Sequence, residues 1–378
     1  MTKRNLGVDL LRIVSMGMVL VLHLLLNSGA LGAFAPFTLP YYTVWMMEIL
    51  AYGAVDVFAM ISGYVGAGRR VRYANLAYLW CTAVVLGLAV TLWFRFTRPL
   101  EYNVTPDSRF SPLIRALFPV FTCEYWFLNA YFLMFLFLPL INAGLEALSG
   151  RRLFAILGVL LLAVCGLNVA GYDDPLRVAH GYSAIWLLLL YVLGAAIRRS
   201  EALHRIPKSV LLIGYLFFSL VTFASRWLLD LYTFRTRGQI ERDDYLVRYV
   251  SPTVVAAAVC LLLFFAKLRI GKAAGAAIGF LAPSAFSVYL IHEHPIFRAL
   301  IMQKYFTDLT QRSPLGLVCR VLMYAAVLFV FCAAVDLVRR GLFRLCRVKP
   351  LLQKAEDAAE RVGRRFSRRF GQKGEEKV

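Results

Sequence analysis

Stretches of about twenty apolar residues recur along the whole chain, and they leave it very few folds. A helix needs roughly 20 such residues to cross a ~30 Å hydrocarbon layer. Ten segments qualify, at 9–31, 43–65, 74–96, 125–144, 153–170, 183–198, 209–226, 250–267, 277–301 and 315–338. Lipid offers the backbone no hydrogen-bond partner, so only helices or closed barrels cross it, and runs of this length select helices. The expected fold class is an all-α integral membrane protein of about ten transmembrane helices. Composition agrees: 60% of the 378 residues are hydrophobic and 17% are charged, against about 45–50% and about 25% in soluble domains. An ordinary soluble enzyme, a disordered chain and a small disulfide scaffold are thereby excluded. The seven cysteines (Cys81, Cys123, Cys165, Cys260, Cys319, Cys332 and Cys346) are odd in number, form no CxxC pair and lie mostly inside apolar runs. They read as small buried hydrophobes, and neither a metal site nor a disulfide framework is expected.

The net charge is +20, from 42 Lys+Arg against 22 Asp+Glu. This charge lies mostly between the apolar runs and at the C-terminus, which points to anionic lipid and away from nucleic acid. With the N-terminus inside, the inner loops are 66–73, 145–152, 199–208 and 268–276. With their flanks they carry Arg69, Arg70, Arg72, Arg151, Arg152, Arg198, Arg199, Arg205, Lys208, Lys267, Arg269 and Lys272, opposed only by Glu146 and Glu201. The outer loops mix both signs, with Glu101, Asp107, Asp173, Asp174, Asp230, Glu241, Asp243 and Asp244 among arginines. That asymmetry places both termini in the cytoplasm. The first run has a basic start like a signal peptide, but Asp9 and Arg12 interrupt it early, and it is read as uncleaved. The chain divides into a transmembrane domain, 1–345, and a basic cytoplasmic tail, 346–378. In the tail Leu351, Leu352, Ala355, Ala358, Ala359, Val362, Phe366 and Phe370 recur at helical spacing among Lys354, Arg361, Arg364, Arg365, Arg368 and Arg369. An interfacial amphipathic helix and a frayed basic tail both fit this pattern.

Ionisable residues inside a span are costly and by default suggest function. Arg12 and His23 are eleven residues apart. At 100° per residue they fall within about 20° of one another, separated by about 16 Å along the axis. Met16, Val19 and Asn27 continue their stripe, and Asp9 is placed to orient Arg12. Ser62-Gly63-Tyr64 precedes Arg69-Arg70-Val71-Arg72 in a glycine-containing turn. Arginines there satisfy the topology rule, and equally a phosphate site, because the guanidinium fork binds phosphate bidentately. Asp56 sits several turns inside its span and needs a cation, a proton or a water-filled cavity; Arg12 and His23 are its expected partners. Tyr289-Leu290-Ile291-His292-Glu293-His294-Pro295 sets three titratable residues in a row before a helix-breaking proline. His292 is expected at a depth similar to His23. The outer loops 97–124 and 227–249 carry Tyr102, Phe110, Tyr232, Phe234, Tyr245 and Tyr249. These aromatics suit either a sugar or the interfacial belt.

With these residues in order, the chain resembles the acyltransferase 3 family of bacterial membrane O-acyltransferases. Asp9-Leu10-Leu11-Arg12 through His23 is similar to its Arg-x10-His signature, and Ser62-Gly63-Tyr64 with Arg69-x-x-Arg72 to its second motif. Glu124-Tyr125-Trp126-Phe127 with Pro139 and Asn142, Gly181-Tyr182-Ser183-x-x-Trp186 with Tyr191 and Gly194, and Ser287-Val288-Tyr289-Leu290-Ile291-His292 resemble later segments. The resemblance implies a multi-pass enzyme of the bacterial inner or plasma membrane. It would move an acyl group, in the first instance acetyl, from cytoplasmic acyl-CoA to a hydroxyl of an extracytoplasmic glycan or lipid-linked sugar. It implies His23 as general base. Arg12, Arg69 and Arg72 would bind the donor's phosphates, with Ser62 and Tyr64 beside them. Asp56, Tyr289 and His292 would bind substrate or support the site, and no metal is implied. A secondary transporter for a small polar solute, with Asp56, His23 and His292 in its cavity, is the alternative. A non-catalytic scaffold would leave the Arg12–His23 alignment unexplained.

Overall fold

The computed structural model describes the backbone of residues 4–102, 109–240 and 246–375, with side chains as far as Arg364. Lys3, Asp107, Glu241, Asp243, Asp244 and Tyr245, and the side chains of Arg365, Phe366, Arg368, Arg369 and Phe370, lie outside the described residues. Among the described residues every regular element is helical and no strand occurs. The longer helices are α1 (Leu6–Asn27), α2 (Leu39–Tyr52), α3 (Ala54–Gly66), α4 (Tyr73–Thr97), α5 (Trp126–Ala147), α6 (Gly150–Val169) and α7 (Ala184–Arg199). They continue with α8 (Lys208–Arg237), α9 (Pro252–Ala266), α10 (Lys272–Leu281), α11 (Ala285–His292), α12 (Pro314–Leu345) and α13 (Val348–Glu375).

Eight helical stretches among the described residues are long and apolar enough to cross a membrane, so this is a multi-pass membrane protein. The other two expected spans, at 183–198 and 250–267, are the shorter helices α7 and α9, of 16 and 15 residues. At 1.5 Å per residue these extend only about 22–24 Å. Both bury much of their surface against other helices, so protein replaces lipid along them. Two spans are broken. That at 43–65 splits at Gly53 into α2 and α3. That at 277–301 divides into α10, a tight turn at Ala282–Ser284 containing Pro283, and α11, which ends at His292 ahead of Pro295.

Helix α1 lies at the centre, packed on α2, α3, α9, α10, α11 and α12. Asn5 caps it by accepting from the amides of Gly7 and Val8, which would otherwise be unpaired. Helices α3 and α7 cross at backbone contact. A Cβ at Gly63 would lie 1.8 Å from the Tyr191 carbonyl oxygen, and one at Gly194 would lie 2.0 Å from that of Met60. Buried ion pairs tie the periphery to this centre. Arg339 pairs with Asp336 within α12 at 2.7 Å and donates to Tyr78 and Thr82 of α4, each at 3.2 Å. Arg226 and Asp230 of α8 meet Tyr41 of α2 at 3.1 and 3.0 Å.

Candidate active site

The first turns of α1 carry the cationic end of the site. Asp9, 2% exposed, accepts from Arg12 at 2.5 Å and also from Arg4. A carboxylate buried among two guanidiniums orients both of them. Across from them Arg198 of α7 donates to the carbonyl of Tyr64 at 2.8 Å, closing the C-terminal end of α3. Arg4, Arg12, Arg69, Arg198 and Tyr64 thus line one cavity of about 530 Å3. A second cavity of about 430 Å3 shares Arg4, Asp9 and Arg12 with the first and continues past Ser62, Tyr131 and Phe135. A third, of about 40 Å3, shares Phe58, Phe127 and Phe286 with the second and is lined by Met16, Val19, His23, Tyr289, Trp126 and Tyr249. The shared walls set the three cavities in a row, a candidate passage from the arginines to His23. The larger two volumes fall in the usual range for ligand pockets, about 300–1,000 Å3.

Around His23 the polar contacts are few and directional. Its Nδ1 lies 2.8 Å from His292 Nε2 and 3.1 Å from Glu293 Oε2. His292 Nδ1 lies 2.6 Å from the carbonyl oxygen of Val288. A carbonyl only accepts, so Nδ1 of His292 carries the hydrogen and Nε2 of the neutral ring is an acceptor. His23 Nδ1 therefore carries a hydrogen as well, shared between His292 and Glu293, and its Nε2 keeps a free lone pair. This tautomer follows from the hydrogen-bond network. Glu293 is held from its other oxygen by Arg298 at 2.6 Å. The same three residues are of a type that binds metal ions. Their spacing of 2.8 and 3.1 Å is that of hydrogen bonds, below the roughly 3.3–3.5 Å between ligands of a tetrahedral ion.

The segment bearing His292 is shaped by Pro295. With no amide at that position, the Ile291 carbonyl takes the His294 amide at 3.3 Å, and the hydroxyl of Tyr125 donates to the Leu290 carbonyl that this amide leaves, at 3.1 Å. His294, the third titratable residue, turns away from His23. Its Nδ1 accepts from the Ile296 amide at 3.3 Å and its Nε2 meets Thr91 at 3.2 Å. Tyr289 lies in the wall of the His23 cavity with its hydroxyl buried. Trp126, Tyr182 and Tyr249 form a ring cluster against that cavity, with centroids 4.6 and 4.9 Å apart for the pairs through Tyr182.

The residues singled out in the sequence thus divide. Arg12, His23, Ser62, Tyr64, Arg69, Tyr289 and, through His23, His292 come together along the passage. Asp56 meets neither Arg12 nor His23. It accepts from Trp186 Nε1 at 3.0 Å and is fully buried between α3 and α7, where the short indole N–H is the donor within reach. Arg72 lies outside the passage wall and pairs with Glu356 at 3.1 Å and with Asp357, both in the tail helix α13. Tyr102, Phe110, Tyr232 and Phe234 lie away from the His23 cavity, whereas Tyr249 lines it. The sequence reading did not place Arg4 and Arg198 at the site, nor did it single out Glu293. Its signal was present in the His292-Glu293-His294 triplet, but helical periodicity does not say which of three adjacent side chains faces inward.

A family model described as an acyltransferase domain, the third acyltransferase family, matches residues 5–337. No curated protein and no solved structure matches the chain.

Proposed function

Because the chain belongs to the acyltransferase 3 family over residues 5–337, we propose that it transfers an acetyl group from cytoplasmic acetyl-CoA to a hydroxyl of an extracytoplasmic glycan or lipid-linked sugar. The observation that carries this reading is the passage from the four arginines to the free nitrogen of His23. In it the chain crosses a bacterial inner membrane ten times, α7 and α9 included, with both termini in the cytoplasm. The clustering of Arg and Lys in alternate loops supports that orientation.

The donor's phosphates lie among Arg4, Arg12, Arg69 and Arg198, beside Tyr64, and its thioester reaches up past Ser62. The His23 cavity of about 40 Å3 supports a two-carbon acyl group over a long one. The acceptor stacks on Trp126, Tyr182 and Tyr249, since sugars present apolar faces to aromatic rings. His23 Nε2 takes the hydroxyl proton as the oxygen attacks the thioester carbonyl. Tyr289, in the wall of the same cavity, donates to the oxygen that becomes negative. The C–S bond then breaks, and His23 returns the proton to the CoA sulfur. Glu293 and His292 hold the imidazole in the tautomer this requires, and Glu293 stabilises the imidazolium between the two steps. Asp56, hydrogen-bonded to Trp186, supports the helices around the site.

The test is turnover of acetyl-CoA by the purified protein in lipid nanodiscs, by transfer or by slow hydrolysis. Arg12→Ala and Arg69→Ala are each expected to weaken CoA binding roughly ten- to a hundredfold, the worth of one charge-assisted contact of about 1.5–3 kcal/mol. Lysine at either position restores only part, because one ammonium does not reproduce a bidentate fork. Undiminished CoA binding by a folded Arg12→Ala/Arg69→Ala double variant would falsify the donor assignment. Glu293→Gln is expected to lower kcat by a similar factor with KM nearly unchanged, since it keeps an acceptor but removes the charge facing the imidazolium. A rise in KM at constant kcat would instead make Glu293 a binding residue. Activity that persists in a chelator separates this hydrogen-bonded array from a metal centre.

A further inference from the structure

The tail helix α13 lies beyond the family match, which ends at residue 337, and its two sides differ in kind. Arg347, with φ 51°, turns the chain between α12 and α13. On one side of α13, Glu356 and Asp357 hold Arg72, Glu356 also accepts from the Tyr73 amide at 2.7 Å, and Glu360 holds Arg70. The Arg70 guanidinium lowers the Glu360 carboxyl from its ordinary pKa, so the clasp is charged at neutral pH. These carboxylates project about 120–180° from the direction of Leu351 at 100° per residue. Leu351, Ala355 and Val362 share a face, within about 40° of one another on the same count. That face is uncovered: Leu351 is 58% and Val362 53% exposed. Lys354 and Arg361, both exposed, border it on one side, about 60–80° from Leu351. Val338, Leu342 and Leu345, near the end of the preceding helix α12, are exposed as well.

We propose that this outward face of α13 is a docking surface for anionic lipid at the inner leaflet. The acidic side fastens the helix to the Arg70–Arg72 turn, while the apolar side chains enter the boundary of headgroups and acyl chains. Lys354 and Arg361 meet the lipid phosphates. An apolar stripe bordered by basic residues is the pattern of interfacial helices. Its direct attachment to the membrane-length helix α12 and its basic border favour an anionic bilayer over a protein partner. The assignment stands independently of the transfer chemistry, because none of these residues lines the passage to His23.

The test uses the full chain in nanodiscs of phosphatidylcholine, with or without phosphatidylglycerol. A nitroxide is attached at Val362→Cys after the exposed Cys123, Cys319 and Cys346 are changed to Ser. In anionic discs the label is expected to be open to oxygen and shielded from an aqueous nickel chelate. Lys354→Gln and Arg361→Gln should each lower the immersed population roughly fivefold, the worth of one basic residue near an anionic surface. Inorganic phosphate added to neutral discs should not immerse it. A label equally open to nickel in both lipids overturns the proposal. Equal immersion in both would leave apolar contact alone and overturn the role of the anionic headgroups. Lys354, Arg361 and Val362 lie beyond the family match, and an unchanged size-exclusion profile checks that each variant, the cysteine-to-serine background included, is folded.

Discussion

His23→Asn is expected to abolish measurable acyl transfer, a loss of roughly a hundred- to ten-thousandfold, the usual contribution of a general base. Acyl-CoA binding stays within a few-fold of wild type, because the arginines that line the donor mouth sit at the far end of the passage. Asn keeps a polar side chain of similar reach but has no nitrogen that takes a proton at neutral pH. His292→Ala is expected to be milder. It removes one of two acceptors from His23 Nδ1 and leaves Glu293, 3.1 Å away, to hold the tautomer. Turnover and CoA binding measured on the same preparations decide the matter. Near-normal turnover of His23→Asn would remove this histidine from the chemistry and leave its hydrogen bonds a packing role.

Gly194→Val is expected to leave little folded protein, and Gly63→Val is expected to behave in the same way. The added Cβ at either position meets a backbone carbonyl at 2.0 or 1.8 Å, where a flexible side chain has no part in relieving the clash. Overpacking a core costs about 1–3 kcal/mol even when side chains can shift, and here two helices must separate. Small residues are what allow such close crossings in membranes. Gly17 of α1 is the control, since a Cβ there meets nothing within 4 Å. Gly17→Ala should be neutral or gain up to about 1 kcal/mol from helix propensity. Thermal unfolding in detergent, followed by fluorescence size-exclusion, separates these outcomes. Retention of wild-type stability by both valine variants would mean that the α3–α7 crossing is looser than described.

Much of this architecture is legible in the sequence because lipid enforces it. Apolar length marks the spans, and the helical repeat alone aligns Arg12 with His23. The meeting of His23 with His292 follows from their similar depth in two spans that run the same way. What the sequence hides is pairing between distant segments. Arg72 looks like a phosphate ligand until Glu356 and Asp357, more than 280 positions away, take it. Asp56 looks like the partner of a cation until Trp186 supplies an indole N–H across a helix crossing. Gly63 and Gly194 show their meaning only as a pair, each against a carbonyl on the other helix. The shortness of α7 and α9 depends on being surrounded by protein, which hydropathy along one segment does not report.

The narrowness of the meeting point at His23 has a bioenergetic consequence. With one base serving both sides, the hydrogen that leaves the acceptor hydroxyl is the hydrogen that arrives on the CoA thiol. The acetyl group and the hydrogen trade places across the membrane, and both move as neutral species. No net charge is carried per turnover on this scheme, so a membrane voltage neither drives nor opposes the reaction. In the proposed transfer the thioester alone then supplies the work of acylating an acceptor on the far side.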